Sequence, residues 1–198
     1  IAEQLSAQVI SVVDKVDAVI LLGQEHQQET GVLTPRVLKT LAAVARSHPQ
    51  RLMLADSRRS LRDYPPAIFK MNATELSALT GINANADISE IAVAAVTLAR
   101  RNQRPVFVTL AERGLLGVSP EGQPEHLPAL PLRGEIDIVG AGDAVSANLT
   151  AALIAGATLH EAGELATAAG SIVIHQLGTT GTASVEQLRG LLATAADW

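Results

Sequence analysis

The stretch DIVGAGDAVSANLTAALIAG, residues 137–156, decides the fold. In it, Gly140, Ala141, Gly142 and Asp143 stand directly before a long apolar run that is typical of a buried helix. In open α/β sheets, ligands bind beyond the carboxyl ends of strands, where the N-termini of helices point at them. Such an N-terminus attracts phosphate, and glycines let the backbone come close to the anion. The pattern therefore indicates an anion-binding turn at residues 140–142.

Asp143 needs an explanation of its own, because a carboxylate beside a phosphate repels it. One task fits: the carboxylate can accept a proton from a hydroxyl that attacks the bound phosphoryl group. The alternative is structural, since Asp is a common N-cap and Gly is common in turns. Neither a complete G-x-G-x-x-G nor a G-x-x-x-x-G-K-[ST] motif occurs in the sequence. These residues alone leave both interpretations open.

The composition limits the classes of protein that fit. The chain has 198 residues, 47% of them hydrophobic but only 2% aromatic, so its core must be built from Ala, Val, Leu and Ile. A net charge of -5 without a basic cluster argues against a nucleic-acid partner. The absence of cysteine excludes disulfides and fits a reducing cytoplasm. Since no apolar run reaches the roughly 18 residues of a membrane span, we expect no membrane partner.

Helical and strand patterns alternate along the chain. This alternation predicts an α/β fold in which helices cover both faces of a parallel sheet. The predicted helices are 1–16, 34–47, 72–80, 88–101, 144–155, 160–176 and 185–194, and the predicted strands are 18–22, 51–55, 67–70, 106–110, 115–118 and 125–127.

Six segments resemble those of the ribokinase-like (PfkB-type) carbohydrate kinases and stand in the same order. They are TGVLTPRVLKTLAAVAR, LMLADSRRSLRDY, FKMNATELSALTG, VFVTLAERGLLGV, DIVGAGDAV and ATAAGSIVIHQLGTTGTAS, which begin at residues 30, 52, 69, 106, 137 and 166. The first two resemble the family's middle helix and its D-x-[RK] strand end. The resemblance implies a three-layer ribokinase-like fold with a mostly parallel central sheet flanked by helices. Residues 1–198 would be the C-terminal portion of a single kinase domain, with the N-terminal part and the lid missing. Within this resemblance, the segment QLGTTGTAS favours the heptose-phosphate kinase branch.

The resemblance also implies a reaction, the ATP-dependent phosphorylation of a hydroxyl on a sugar or a sugar phosphate. Asp143 would be the general base toward that hydroxyl. The turn of Gly140, Ala141 and Gly142 would form the anion hole, in which the amides of Ala141, Gly142 and Asp143 hold the transferring phosphoryl group. The functional interpretation of the turn is thereby favoured over the capping interpretation.

Two further segments gain roles from the resemblance. Asn72 and Glu75 would lie near Mg²⁺ and the nucleotide phosphates, with Glu75 holding the metal through water; the alternative is a capping box that opens a helix. Thr109 and Gly114 would belong to a nucleotide-binding loop, in which Ala111 replaces the family's first glycine. The alternative there is a plain β-hairpin turn at Gly114.

The remaining candidates lie around residue 137 and in the 160–176 helix. Asp137 would stand beside a monovalent-cation site, such as one for K⁺, that is also lined by Gly178; alternatively, its carboxylate caps nearby amides. Thr167, Gly170 and Ser171 would border the adenine, and close packing of an alanine-rich helix explains them equally well.

Two hypotheses on function follow. The first is the nucleotide-binding and catalytic portion of a carbohydrate kinase, competent once it is joined to its N-terminal part. The second is a truncated, non-catalytic remnant that keeps the fold core and at most binds nucleotide. The chain starts without Met inside a helical pattern, so we expect a piece of a longer protein. A homodimer is compatible with the resemblance, and His175 is expected at a helix end rather than in a metal site.

Overall fold

The computed structural model describes residues 1–25, 27 and 30–195. Its helices within this part are α1 Ala2–Val12, α2 Pro35–Ser47, α3 Ala73–Thr80, α4 Ile88–Asn102, α5 Ala141–Ile154, α6 Leu159–Ile174 and α7 Val185–Ala195. The strands are β1 Ala18–Gly23, β2 Leu52–Ser57, β3 Ile68–Asn72, β4 Val106–Thr109, β5 Leu115–Val118 and β6 Glu125–Leu127, in that order in the sheet. The chain forms two compact units, Ile1–Thr109 with Val118–Pro124 and Leu110–Gly117 with Glu125–Trp198.

The first unit is built on the parallel strands β1 to β4. The register pairs Leu54 of β2 with Ile68 of β3, and Phe69 of β3 with Val106 of β4. Most side chains of β2, β3 and β4 are buried, and these strands are accordingly rich in apolar residues. Leu54 and Phe107 are completely buried. The expected parallel sheet is therefore confirmed.

Local sequence signals start the helices of this unit where they were expected. The Thr34 hydroxyl accepts a hydrogen bond from the Val37 amide, and Pro35 occupies the first turn of α2. The Asp87 carboxylate caps α4 by accepting from the Glu90 amide at 2.9 Å. Since a crossover helix runs antiparallel to its strands, α2 begins near the carboxyl edge of the sheet and ends near the amino edge.

The second unit contains the antiparallel pair β5 and β6 and the helices α5, α6 and α7. Small residues let α6 lie close to its neighbours: Ala166 and Ala169 are fully buried, and a Cβ placed at Gly170 would lie 3.3 Å from Val145 of α5. A capping box between Thr158 and Glu161 opens α6. Among the described residues, no helix combines the length and the apolar character that crossing a membrane requires.

Candidate functional site

The glycine turn leads directly into α5. Gly140 is the N-cap residue of this helix in a left-handed conformation with φ 82°, and among the described residues no side chain caps the helix. The helix therefore begins at Ala141, three residues earlier than the expected start at Ala144. The first N–H groups of a helix lack intrahelical acceptors, which is the arrangement that binds anions. One of them is partly engaged, since the Ala141 amide donates to the carbonyl of Ile138 at 3.2 Å.

Asp143 is the third residue of α5, and its side chain is exposed. The interpretation of Asp143 as an N-cap is wrong, because the N-cap position belongs to Gly140 and the helix has already begun two residues before Asp143. A carboxylate in the first turn still interacts favourably with the helix dipole. The exposed position of the Asp143 carboxylate is compatible with its predicted role as a general base.

Asp137 ties the turn to the loop that follows α6. Its carboxylate accepts from the Val139 amide at 3.0 Å and from the Gly178 amide at 3.2 Å. Its own amide donates to the carbonyl of Ile174 at 2.7 Å. The structure therefore brings Asp137 and Gly178 together, and the capping of nearby amides is realised. Within the described ranges, no three His, Cys, Asp or Glu side chains are arranged to hold a metal ion.

Gln176, which was not among the predicted site residues, fixes the same loop. Its side-chain nitrogen donates to the carbonyl of Thr182 at 2.7 Å, and its side-chain oxygen accepts from the amide of Thr182 at 2.9 Å. The loop also meets the turn directly, since a Cβ placed at Gly140 would lie 2.0 Å from the carbonyl oxygen of Thr180. The sequence signal that could have identified Gln176 is its amide side chain, which stands shortly before a Gly-Thr-Thr-Gly sequence.

His175 lies at the C-cap of α6, a helix end as expected. Its Nε2 accepts a hydrogen bond from the Arg133 amide at 2.9 Å, and its Nδ1 lies 2.6 Å from the carbonyl of Ser171. A ring that accepts at Nε2 and donates at Nδ1 is the neutral Nδ1–H tautomer. The imidazole is therefore engaged in holding the segment around Arg133 against α6.

The three candidates on α6 have mainly packing environments. Gly170 faces Val145 of α5, and Ser171 is 7% exposed. The Thr167 hydroxyl is buried without a hydrogen-bond partner in the described part of the chain. Close helix packing is thus realised, and contact with an adenine stays a prediction.

In the first unit, Asn72 and Glu75 form the capping box that was weighed as the alternative. The Asn72 side chain accepts from the Glu75 amide at 2.8 Å, and a Glu75 carboxylate oxygen accepts from the Asn72 amide at 2.8 Å. Burial raises the pKa of Glu75, and the neighbouring charge of Asp56 raises it further; the Asn72 amide and the charges of Lys70 and Arg58 oppose this. The carboxylate is therefore a structural cap in a partly desolvated, charged environment.

A buried ion pair that was not among the predicted site residues lies beside this capping box. Lys70 of β3 donates to a carboxylate oxygen of Asp56 of β2 at 2.8 Å, and the two side chains are 7% and 15% exposed. The topology brings the two residues together, because the carboxyl ends of neighbouring parallel strands meet at one edge of the sheet. Removing Asp56 would take away the carboxylate partner of the buried Lys70 ammonium.

The segment from Thr109 to Gly114 forms a tight turn. The Thr109 hydroxyl donates to the carbonyl of Met71 at 3.4 Å, and the Leu110 amide donates to the carbonyl of Gly114 at 2.7 Å. Gly114 has φ 93° and ψ −137°, and a Cβ there would lie 2.0 Å from a backbone oxygen. Only glycine fits that conformation. The turn at Gly114 is therefore present, and nucleotide binding by the loop stays a prediction.

Ala111 in this turn adopts φ 53°, a left-handed conformation, at the position where the resemblance expects glycine. We expect Ala111→Gly to stabilise the chain by about 0.5 kcal/mol, because relief of the roughly 1–2 kcal/mol left-handed cost exceeds the entropy that glycine adds to the unfolded state. Ala43→Gly on the exposed side of α2 is the control and should destabilise by about 1 kcal/mol. Urea unfolding measures both, and equal losses would contradict the assigned conformation.

The chain has the ribokinase-like fold. Phosphofructokinase-2 from Escherichia coli, solved in complex with potassium, superposes with a TM-score of 0.80 at 24% identity, over 98% of this chain and 62% of the other. Ribokinase from Arabidopsis thaliana, complexed with ribose and ATP, superposes with a TM-score of 0.78 at 21% identity, over 93% and 58%. The predicted three-layer fold is thereby confirmed.

The sequence profile of the pfkB family carbohydrate kinases matches residues 3–186, and the chain belongs to this family. Bifunctional protein HldE of Bradyrhizobium sp. (strain ORS 278) is 32% identical over 196 residues. Bifunctional protein HldE of Rhodopseudomonas palustris (strain HaA2) is 32% identical over 197 residues. Each alignment covers 98% of this chain, and the chain spans 39% of the length of each relative. The predicted family is therefore confirmed.

Proposed function

We propose that the chain is the nucleotide-binding and catalytic portion of an ATP-dependent carbohydrate kinase. The observation that carries this proposal is the start of α5 in a member of the pfkB family: a left-handed Gly140 and a helix without a side-chain cap among the described residues. An exposed carboxylate, Asp143, stands in the same turn. An anion-binding helix start next to a base is what phosphoryl transfer to a hydroxyl requires.

In this reaction the hydroxyl oxygen of the acceptor forms a bond to the γ-phosphorus of ATP, and the bond from that phosphorus to the leaving ADP oxygen breaks. Asp143 accepts the hydroxyl proton. Backbone amides at the turn, those of Ala141, Gly142 and Asp143, hold the phosphoryl oxygens as negative charge develops. The start of α5 at Ala141 supports these roles, because the first N–H groups of a helix lack intrahelical acceptors.

We further propose that Glu75 holds Mg²⁺ through water. Mg²⁺ prefers oxygen ligands and keeps several of its waters, so one carboxylate suffices. The residues present fit this ion, since the single hydrogen bond from Asn72 leaves the Glu75 carboxylate further acceptor positions. For a monovalent cation such as K⁺, the pairing of Asp137 with Gly178 supports a site in the loop after α6.

The remaining proposals concern the nucleotide, the acceptor, the location and the oligomeric state. We propose that Thr109, Gly114, Thr167, Gly170 and Ser171 contribute to nucleotide binding. The resemblance of residues 176–184, QLGTTGTAS, to the heptose-phosphate kinase branch supports a sugar phosphate as the acceptor. A cytoplasmic location and a homodimer belong to the same proposal.

A second candidate is a remnant that keeps the fold core and at most binds nucleotide. The chain spans 39% of its HldE relatives and 62% of the phosphofructokinase-2 chain. Both candidates predict nucleotide binding, whereas only the first predicts phosphoryl transfer by the protein that carries this chain.

Calorimetry with Mg·ADP on the folded chain tests the nucleotide site. We expect weak binding, in the millimolar range, together with a rise in melting temperature. The isolated chain should show little or no sugar phosphorylation. Absence of both heat and thermal shift would contradict the proposed site, and robust turnover by the 198 residues would show that the acceptor site lies within them.

Glu75→Gln separates the capping role of this residue from the proposed metal role. Glutamine keeps the capping box, so the fold should be retained. The variant should weaken the dependence of nucleotide affinity on Mg²⁺ concentration if the carboxylate holds the ion. Unchanged Mg²⁺ dependence would leave Glu75 as a cap only.

Glu75 also gives the stability of the chain a pH dependence, which the same variant tests. Because burial raises the pKa of Glu75 above its ordinary value of 4.5, the folded state binds this proton more tightly than the unfolded state. Ionisation of Glu75 therefore reduces the free energy of unfolding as the pH rises through the window between the ordinary and the raised value. The variant should lose this decline, so its melting temperature should gain on that of the unaltered chain across the window. Parallel melting curves would contradict the raised pKa.

A further inference from the structure

A cavity of about 540 Å³ is lined by residues of α6, of α7 and of the segment around Arg133. The apolar part of its lining includes Ile172 of α6, which is buried, and Leu191 of α7, and both belong to the cluster that joins the two helices. Cavities of about 300–1,000 Å³ are typical of small-molecule sites. The space between the two helices is therefore large enough for a ligand with a small apolar body.

Gly190 of α7 borders this cavity without filling any of it. The residue stands in the interior of the helix Val185–Ala195, where glycine is less favourable than alanine. Packing does not require glycine at this position. Apart from the backbone of its own helix, no atom of the described residues lies within 4 Å of the position that a Cβ would take. The missing side chain therefore contributes open space where α7 meets the cavity.

The polar lining of the cavity offers hydrogen-bond donors and no acid. Of the described residues that line it, none is Asp or Glu. Arg133 is exposed and takes part in no ion pair within the described part of the chain. Gln187 accepts from the Ser184 amide through its side-chain oxygen at 2.9 Å, which leaves the NH₂ group of this side chain to donate. A guanidinium and an amide donor beside an apolar lining favour an anion.

His175 holds the backbone of Arg133 at the edge of the cavity. The Arg133 amide donates to Nε2 of His175 at 2.9 Å, and Nδ1 of the same ring lies 2.6 Å from the carbonyl oxygen of Ser171. Both ring nitrogens are thereby engaged, so the imidazole supports the segment and leaves ligand contact to the guanidinium. The planar fork of that group matches the two oxygens of a carboxylate or the oxygens of a phosphate.

We propose that this cavity binds a small organic anion. Its apolar body lies against Ile172 and Leu191, and its carboxylate or phosphate group is bound by Arg133 and Gln187. This site goes beyond the proposed kinase function and does not depend on it.

The cavity is distinct from the proposed adenine contacts on the same helix. Ile172 and Gln176 line it, whereas Thr167, Gly170 and Ser171 are absent from its lining in the described part of the chain. Because residues that lie side by side in the sequence of a helix face different directions, the two sets belong to different faces of α6. We therefore expect the organic anion and the nucleotide to bind without competing.

An NMR titration of the ¹⁵N-labelled 198-residue chain tests the site. The probes are phenyl phosphate, benzoate, benzyl alcohol and inorganic phosphate. Phenyl phosphate, benzoate or both should bind in the millimolar range or tighter and shift the signals of the Gly190 amide and the Gln187 side chain. Benzyl alcohol lacks the charge and inorganic phosphate lacks the apolar body, so each should bind at least about tenfold more weakly. The tighter of the two organic anions identifies the preferred head group.

Three variants locate the binding. Arg133→Gln should lose at least about tenfold in affinity for the organic anions, and its fold should be retained because the bond to His175 uses the backbone amide. Gly190→Leu should abolish binding by filling the cavity and should raise the melting temperature, since leucine is the better helix former. The matched control is Arg189→Gln, an exposed position of α7 outside the lining, whose affinities should stay within about twofold.

Four outcomes overturn the proposal. The first is that neither organic anion binds, and the second is an equal loss of affinity in Arg189→Gln and Arg133→Gln. The third is undiminished binding to Gly190→Leu, which would place the anion elsewhere, such as at the start of α5; if this variant does not fold, Arg133→Gln decides. The fourth is competition by Mg·ADP, which would make the cavity part of the nucleotide site. A chain that binds the organic anion here but no Mg·ADP would confirm the cavity and contradict the proposed nucleotide site.

Discussion

Asp143→Asn is expected to lower kcat by roughly 10²- to 10⁴-fold in the protein that carries this chain, because it removes a general base. The fold should be retained, since Asp143 lies exposed in the first turn of α5 and the N-cap is Gly140. Loss of the favourable charge at the helix start costs roughly 0.3–1 kcal/mol. Affinity for ATP should hold or rise slightly, because a negative charge near the phosphates is gone. Steady-state kinetics and thermal melting measure these effects.

Asp87→Asn provides the comparison for this variant. Asp87 is a true N-cap, and asparagine caps a helix about as well as aspartate. We therefore expect kcat to stay unchanged and stability to change no more than in the Asp143→Asn protein. A kcat in the Asp143→Asn protein equal to that of the unaltered protein would remove the catalytic assignment and leave Asp143 as a first-turn charge.

Gly140→Ala should have the largest effect on stability, a loss of roughly 3–5 kcal/mol in the free energy of unfolding. Two costs combine at this position. The residue has φ 82°, and its added Cβ would lie 2.0 Å from the carbonyl oxygen of Thr180, which is backbone and cannot rotate away. Nucleotide binding should fall in parallel, because the start of α5 has to shift.

Gly156→Ala separates these two costs. Gly156 has φ 90°, but nothing lies within 4 Å of the position of its Cβ, so the variant bears only the conformational cost of about 1–2 kcal/mol. Urea unfolding should therefore give a clearly larger loss in the free energy of unfolding for Gly140→Ala than for Gly156→Ala. If both lose the same amount, the contact with Thr180 is unimportant.

The alternation of helices and strands could be predicted from the sequence because it depends on apolar patterns within short segments. The start of α5 could not. The apolar run begins at Ala144, and side-chain periodicity carries no information on Ala141 and Gly142, which are helical because Gly140 turns the backbone. Patterns of side chains report which residues are buried, whereas the first turn of a helix depends on backbone conformation.

The candidate site likewise contains features that the sequence could predict and contacts that it could not. The motif located Asp143 and the turn, but the bond from the Gly178 amide to Asp137 joins residues 41 positions apart, and the bond from the Arg133 amide to His175 joins residues 42 positions apart. Contacts at such separations depend on how α5 and α6 pack. A sequence can suggest that these residues are polar and near a turn, but the partner of each is set by tertiary structure.

The contacts that Asp137, Gln176 and Thr180 make have a consequence for chain length. Surface loops usually accept extra residues, because nothing depends on their path. The segment between α6 and α7 has its path fixed at several points, and one of them lies against Gly140 at the helix start. A single residue inserted between Gly178 and Thr182 would have to displace the beginning of α5. This short connection therefore has a length that evolution or engineering can change only by rebuilding the turn beside it.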